Sequence, residues 1–140
     1  MASTFSAQVS AFVAKSEKRM EMVTKEAAQR VGLEVKAGTR VDTGFLRASF
    51  MASTAAMPVI DRNARPSPGG AYADPASEIA LVIAGASLGQ TIYMGFVASY
   101  AYYVEVGANG RSPVGMVGLA AQQWPQIVND VVAEAKARIP

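Results

Sequence analysis

Apolar residues recur at spacings near three and four through residues 4–35: Phe5, Val9, Phe12, Val13, Met20, Val23, Ala27 and Val31. An α-helix gathers such positions on one face, whereas a strand scatters them over two. The spacing therefore predicts one long helix over 4–35, roughly 45 Å at about 1.5 Å per residue. A helix of that length either spans a small domain or projects from it towards neighbours. Glu17, Glu21 and Lys25 stand one turn apart on the opposite face, where i,i+4 charges interact in water. Ser3 or Thr4 supplies a capping hydroxyl at its start. Gly32 is expected to break its last turn.

The rest of the composition limits what such a helix can serve. The chain has 140 residues, 51% hydrophobic and 17% charged, enough apolar material for a core and suited to one domain over 1–140. It contains no cysteine and no histidine. Disulfides, thiolate metal sites and cysteine nucleophiles are thereby excluded, as are the commonest general base and any Ser-His-Asp triad. This composition points to binding or structural work rather than catalysis, with no cofactor expected. The first residues lack the basic start and apolar stretch of a signal peptide. The longest apolar runs, such as 79–84, fall far short of the roughly 20 residues of a membrane helix. The expected location is a cytosol, or an assembly built inside one.

Charge is unevenly placed. Residues 1–65 carry 10 basic and 6 acidic side chains, and residues 66–140 carry 3 and 5, giving the net +2. Two solvated surfaces explain this, and so do complementary faces that meet between copies in a head-to-tail ring. Nucleic-acid binding needs a concentrated basic stripe. Here Lys15, Lys18, Arg19, Lys25 and Arg30 alternate with Glu17, Glu21 and Glu26.

Beyond the first helix, Gly38, Thr39, Asp42, Thr43 and Gly44 signal a turn. Residues 45–53 are expected to begin helical and then enter a strand. An exposed loop is expected over about 58–78, with Pro58, Pro66, Pro68, Pro75 and the Gly69-Gly70 pair, ordered on a partner. Residues 78–84 and 90–97 read as two strands of a hairpin about a turn at 85–89. Residues 99–106 read as a short helix or a third strand, and 107–110 as a tight turn. A closing helix over 113–137 should place Met116, Leu119, Ala120, Ile127, Val128, Val131 and Ala135 inward, with Pro125 kinking or dividing it near Trp124. The fold class is α+β, a small antiparallel sheet packed by a long N-terminal helix and a C-terminal helix.

Several motifs resemble chemistry. Asp42-Thr43-Gly44 is the active-site triplet of aspartic proteases, in which two carboxylates share a proton and activate water. Phe45 follows where that resemblance needs a small residue, and a three-residue match is common by chance. Asp42 opening a hydrogen-bonded loop, with Gly44 in a conformation other residues dislike, explains the triplet equally well. Asp61 and Asp74 could hold a cation. Residues 107–112 are glycine-rich but lack the lysine of a phosphate loop. Tyr100, Tyr102 and Tyr103 could stack on bases or divide between core and interface. Glu105 needs a basic partner in space, and Arg47 is the candidate.

Two segments taken together carry more. The first is Gly38-Thr39-Arg40-Val41-Asp42-Thr43-Gly44-Phe45-Leu46-Arg47-Ala48-Ser49, and the second is Tyr100-Ala101-Tyr102-Tyr103-Val104-Glu105-Val106-Gly107. This pair, after a long first helix and before a closing one, resembles the neck and tail-completion proteins of tailed bacteriophages, a tail-component family. The chain has Ala108 where that family often has threonine, and residues 113–116 match its proline-rich, aromatic stretch only loosely.

The resemblance implies a non-enzymatic virion protein assembled in the host cytoplasm. It would form a ring at the head–tail junction, of six copies or alternatively twelve, as a neck, tail-completion or tail-terminator layer. The implied partners are further copies, connector or stopper proteins and tail-tube proteins. No membrane is involved, and DNA at most passes through the lumen. Asp42, Thr43, Gly44, Leu46, Arg47, Tyr100, Tyr103, Glu105 and Gly107 are then structural and assembly residues. Arg47 and Glu105 would fix a junction against which Tyr100 and Tyr103 pack. The other classes are a nucleic-acid-binding accessory domain and a small dimeric aspartic protease.

Overall fold

The structure, a computed structural model, describes residues 4–41 and 44–140. Its elements are α1 (Phe5–Gly38), α2 (Phe45–Ala48), β1 (Phe50–Ser53), α3 (Ala76–Ala84), β2 (Tyr93–Phe96), α4 (Ala101–Val106), α5 (Met116–Gln122) and α6 (Trp124–Arg138). The fold is α+β. A long N-terminal helix and the C-terminal helices pack together beside a two-stranded antiparallel sheet.

The long helix forms as its periodicity requires and extends one turn further than the spacing suggested. Thr4 caps it, its hydroxyl accepting from the Ala7 N–H at 3.1 Å. Gly32 does not break the helix. It is buried inside it, and a Cβ there would stand 3.1 Å from the Met94 sulfur. The glycine thus lets the sheet approach the helix backbone. Thr39 closes the other end, buried, its hydroxyl donating to the Val35 carbonyl at 2.7 Å.

α1 presents two apolar faces. Ala28 and Val35 face a cluster with Phe50, Ile79, Ile83 and Ala120, while Ala27 packs with Ile127 and Val131 of α6. α6 is also held by the Arg30 guanidinium, which bridges Glu26 and Glu134. The Arg19 guanidinium donates to the Ile139 carbonyl where α6 ends.

The expected hairpin of 78–84 with 90–97 does not form. Residues Ala76–Ala84 are the helix α3, and β2 pairs instead with β1 in the register Phe50↔Phe96, Met51↔Gly95, Ala52↔Met94 and Ser53↔Tyr93. The reason lies in period and capping. Ile79 and Ile83, four apart, are buried, while Leu81 between them is 74% exposed, which is a helical face and not a strand face. Asp74 starts the helix by accepting from the Ala76 N–H at 2.9 Å, and Glu78 lies in its positive first turn. Residues 45–53 pass from helix to strand as expected, and 101–106 are helical.

The closing segment divides into α5 and α6 at Gln123, with Pro125 in the first turn of α6, where a missing N–H costs nothing. Leu119, expected inward, is instead exposed. The segment between β1 and α3 carries short turns made by its own side chains, such as Asp61 accepting from the Asn63 N–H. It touches the sheet where the Asp61 N–H donates to the Val97 carbonyl at 2.9 Å. No helix of the described residues is long and apolar enough to cross a membrane.

Two carboxylates tie this frame together. The Arg30 guanidinium, through its hydrogen bond, holds Glu134 below its ordinary range. The Lys36 ammonium does the same for Asp74, assisted by the Ala76 N–H. A carboxylate depressed in the folded state contributes stability above its unfolded value, and loses it as pH falls through the folded one. Glu134→Gln is therefore expected to lower Tm at neutral pH and to flatten the fall of Tm on acidification from about pH 5 to about pH 3. For α3, Ile83→Ala should cost about 2–5 kcal/mol in urea unfolding. Leu81→Ala should cost only about 0.5 kcal/mol. Comparable costs at both positions would signal a strand, in which they share a face.

Candidate assembly site

The two motif segments meet at the C-terminal end of α1. Gly44 enters α2 in the left-handed region, with φ 88°, and Leu46 is buried against Ala98, Ala101 and Met116. Phe45 lies parallel to Tyr100 with ring centroids 6.2 Å apart and meets Tyr72 edge-on at 5.2 Å. One aromatic row thus joins the first motif, the second motif and the loop that leads into α3. Such pairs add about 0.5–1.5 kcal/mol beyond their area.

Glu105 has a different partner from the one its sequence neighbourhood suggested. No ion pair joins it to Arg47 among the described residues. Its carboxylate accepts from the Val117 N–H at 2.9 Å and the Gly118 N–H at 2.8 Å. These are free donors in the first turn of α5, a helix with no side-chain cap of its own. The carboxylate also faces the positive end of the helix dipole. Gly118 permits the approach, since a Cβ there would come within 3.2 Å of the carboxylate. Backbone bonds complete the joint, from the Val114 N–H to the Val104 carbonyl and from the Gly115 N–H to the Glu105 carbonyl.

Gly107 makes the turn between them possible. Its φ is 84° and ψ 143°, a conformation close to glycine's alone. A Cβ would stand 2.9 Å from both the Arg111 carbonyl and the Pro113 nitrogen. The Asn109-Gly110 turn follows, closed by the Arg111 N–H on the Ala108 carbonyl.

Around this joint lies an open cleft formed by two adjoining depressions of about 380 and 280 Å³. Arg40, Arg111, Tyr100 and Val104 line both, and Pro66 and Leu46 close one side. No carboxylate lines it among the described residues, so the cleft is basic. The Nε of Arg47 is buried beneath, without a hydrogen-bond partner. Its charge acts on Asp74, which Lys36 bonds at 2.9 and 3.1 Å. Tyr103 does not pack into the joint. It is exposed and meets Tyr102 edge-on at 5.7 Å.

Asp42 and Thr43 lie outside the described residues. Asp61 and Asp74, read as possible cation ligands, lie in a turn and an ion pair respectively, and no cluster of acidic residues suited to a metal occurs among the described residues. The cap made by Glu105 went unrecognised in the sequence. Its signal was indirect: α5 begins after Gly115 with no serine, threonine, aspartate or asparagine to cap it.

What this joint preserves is a junction between helices rather than a set of reacting groups. Comparison with protein-family models matches residues 3–107 to the family described as "Bacteriophage HK97-gp10, putative tail-component", and the chain belongs to that family. Comparison with curated proteins and with solved structures returns no match. The matched span includes both motifs, the aromatic row and Gly107.

Glu105→Ala should cost about 1.5–3 kcal/mol, since it strands two N–H donors of α5. Glu105→Gln should recover part of that loss through its side-chain carbonyl, as urea unfolding of the three proteins would show. Gly107→Ala should cost about 1–3 kcal/mol from its backbone conformation alone.

Proposed function

We propose that this protein is a non-enzymatic virion component that closes into a ring, of six copies, in the neck or tail-terminating layer between the head connector and the tail tube. The observation that carries the reading is family membership over residues 3–107, a span that holds both motifs and ends at Gly107. Its partners are then copies of itself, connector or stopper proteins above and tail-tube proteins below, with DNA passing through the lumen. It assembles in the host cytoplasm, and all 140 residues act as one domain.

The surface supports this reading. A rotational ring needs two unlike patches on each subunit, and α1 separates two such patches by about 50 Å, its own length at 1.5 Å per residue. At its N-terminal end Phe5, Val9, Phe12 and Val13 are exposed. At the other end lie the basic cleft and the exposed pair Tyr102 and Tyr103. Tyrosine beside arginine is a common composition for the centre of an interface.

Electron microscopy of the purified particle, with its layers assigned by mass, tests the proposal. A closed ring of this chain at the head–tail junction is the expected result, and its absence from the tail overturns the reading. The protease alternative predicts peptide hydrolysis that Asp42→Asn abolishes. The ring reading predicts none in the unaltered protein, measured over a mixed peptide library. Binding of single-stranded or duplex DNA that falls steeply with salt would instead favour the nucleic-acid alternative.

A further inference from the structure

The apolar stripe of α1 is longer than its cover. Phe5, Val9, Val13, Met20, Val23, Ala27 and Val31 stand on one face at helical spacing. Val23, Ala27 and Val31 are packed against Ile127, Val128 and Val131 of α6. α6 ends at Arg138, and the Ile139 carbonyl is held by Arg19. Towards Phe5 nothing covers the stripe among the described residues. Phe5 is 81% exposed and Phe12, beside it on the same face, 68%. Residues 4–14 carry no charge, so this arm is not a face built for water alone. The two phenylalanines expose on the order of 300 Å², the size of patch that marks an interaction site on a soluble protein.

At the root of the arm, where α6 stops, lies an apolar groove of about 560 Å³. It is lined by Met20, Val23, Leu88, Val132 and Ala135, with Arg19 and Lys136 at its rim. The arm cannot fill its own groove. Both belong to one continuous helix, and Phe5 lies about 22 Å along the axis from Met20 at 1.5 Å per residue. Neither surface is covered by another part of the chain among the described residues. Every copy presents one arm and one groove, so copies satisfy each other one to one. The arm itself brings no carboxylate or ammonium into the groove, so it adds no charge to be desolvated there.

We propose that the Phe5–Val9–Phe12 face of one copy docks in the groove of Met20, Leu88 and Val132 on a second copy. This gives the head-to-tail contact that the ring of the preceding section requires, and so rests on that reading for its closure though not for its chemistry. The contact is heterologous, since arm and groove are different surfaces, and it repeats from copy to copy until it closes.

The absence of cysteine makes the test clean. Phe5→Cys and Leu88→Cys proteins, both altered at exposed positions, are mixed one to one under mild oxidation, and non-reducing gels read the products. A disulfide-linked pair in the mixture, absent from either variant alone, is the expected result. Linkage of Phe5→Cys or Val13→Cys copies to themselves, without arm-to-groove linkage, would mean that arms pair with arms and overturns the proposal. So does the absence of any linked pair, including the case of a chain that stays monomeric at every concentration.

A Phe5→Glu/Phe12→Glu protein should keep the wild-type circular dichroism and Tm, because both side chains are exposed in the single chain, yet associate at least tenfold more weakly in sedimentation. Closed rings that this double variant leaves unchanged overturn the docking while the ring reading stands. Arm-to-groove linkage in particles that are open or merely paired supports the docking while the ring reading fails.

Discussion

α3, α5, α6 and the sheet beside them are positioned by what α1 allows to touch it. Its buried residues are small, namely Ala27, Ala28, Gly32 and, largest of them, Val35. Small side chains let other elements approach the helix axis closely, and the elements that do so differ by face. α6 lies along the alanine and valine side, while Phe50, Met94 and α3 take the side that includes Gly32. A two-stranded sheet is marginal alone. Here it is stable because Phe50 and Phe96 pack with tilted rings, centroids 4.8 Å apart, on a face that α1 and α3 cover. The helix is thus both the wall of the core and, beyond its cover, an extension away from it.

The logic of the motif joint is mechanical. A glutamate usually earns attention as a charge awaiting a cation, yet Glu105 serves as the missing cap of a helix 12 residues later in the chain. Gly107 supplies a positive-φ turn between those two places, and Gly118 leaves room for the carboxylate. The Phe45, Tyr100 and Tyr72 rings lock the same region to α2 and to the preceding loop. A joint of this kind resists deformation, because its bonds are to backbone groups and its turn is fixed by a glycine. The arginines of the adjoining cleft sit on that rigid base, and their charge meets solvent rather than an internal carboxylate among the described residues.

Membership of a phage tail-component family gives the exposed apolar residues a physical sense. Leu119, Trp124, Tyr102, Tyr103 and the arm of α1 would be liabilities on a solitary protein. Exposed apolar and aromatic side chains suit contact with other proteins, as expected of a tail component. They lie at the N-terminal end of α1, on α4, on α5 and at the start of α6.

The sequence by itself determined the long helix, the passage from α2 into β1, the division of the closing segment at Pro125 and the family, because each rests on local periodicity, a backbone restriction or an ordered motif. Gly44 was likewise legible as a position that demands an unusual backbone angle, and 107–110 as a tight turn. Only the tertiary structure decided that residues 76–84 are helical, since a short apolar run fits a strand or a buried helix until its neighbours select a period. The same holds for the partner of Glu105 and for the pairing of β1 with β2. These depend on which segments, distant in sequence, are brought side by side, and α1 makes that choice through the two faces of small residues on which the rest of the chain packs.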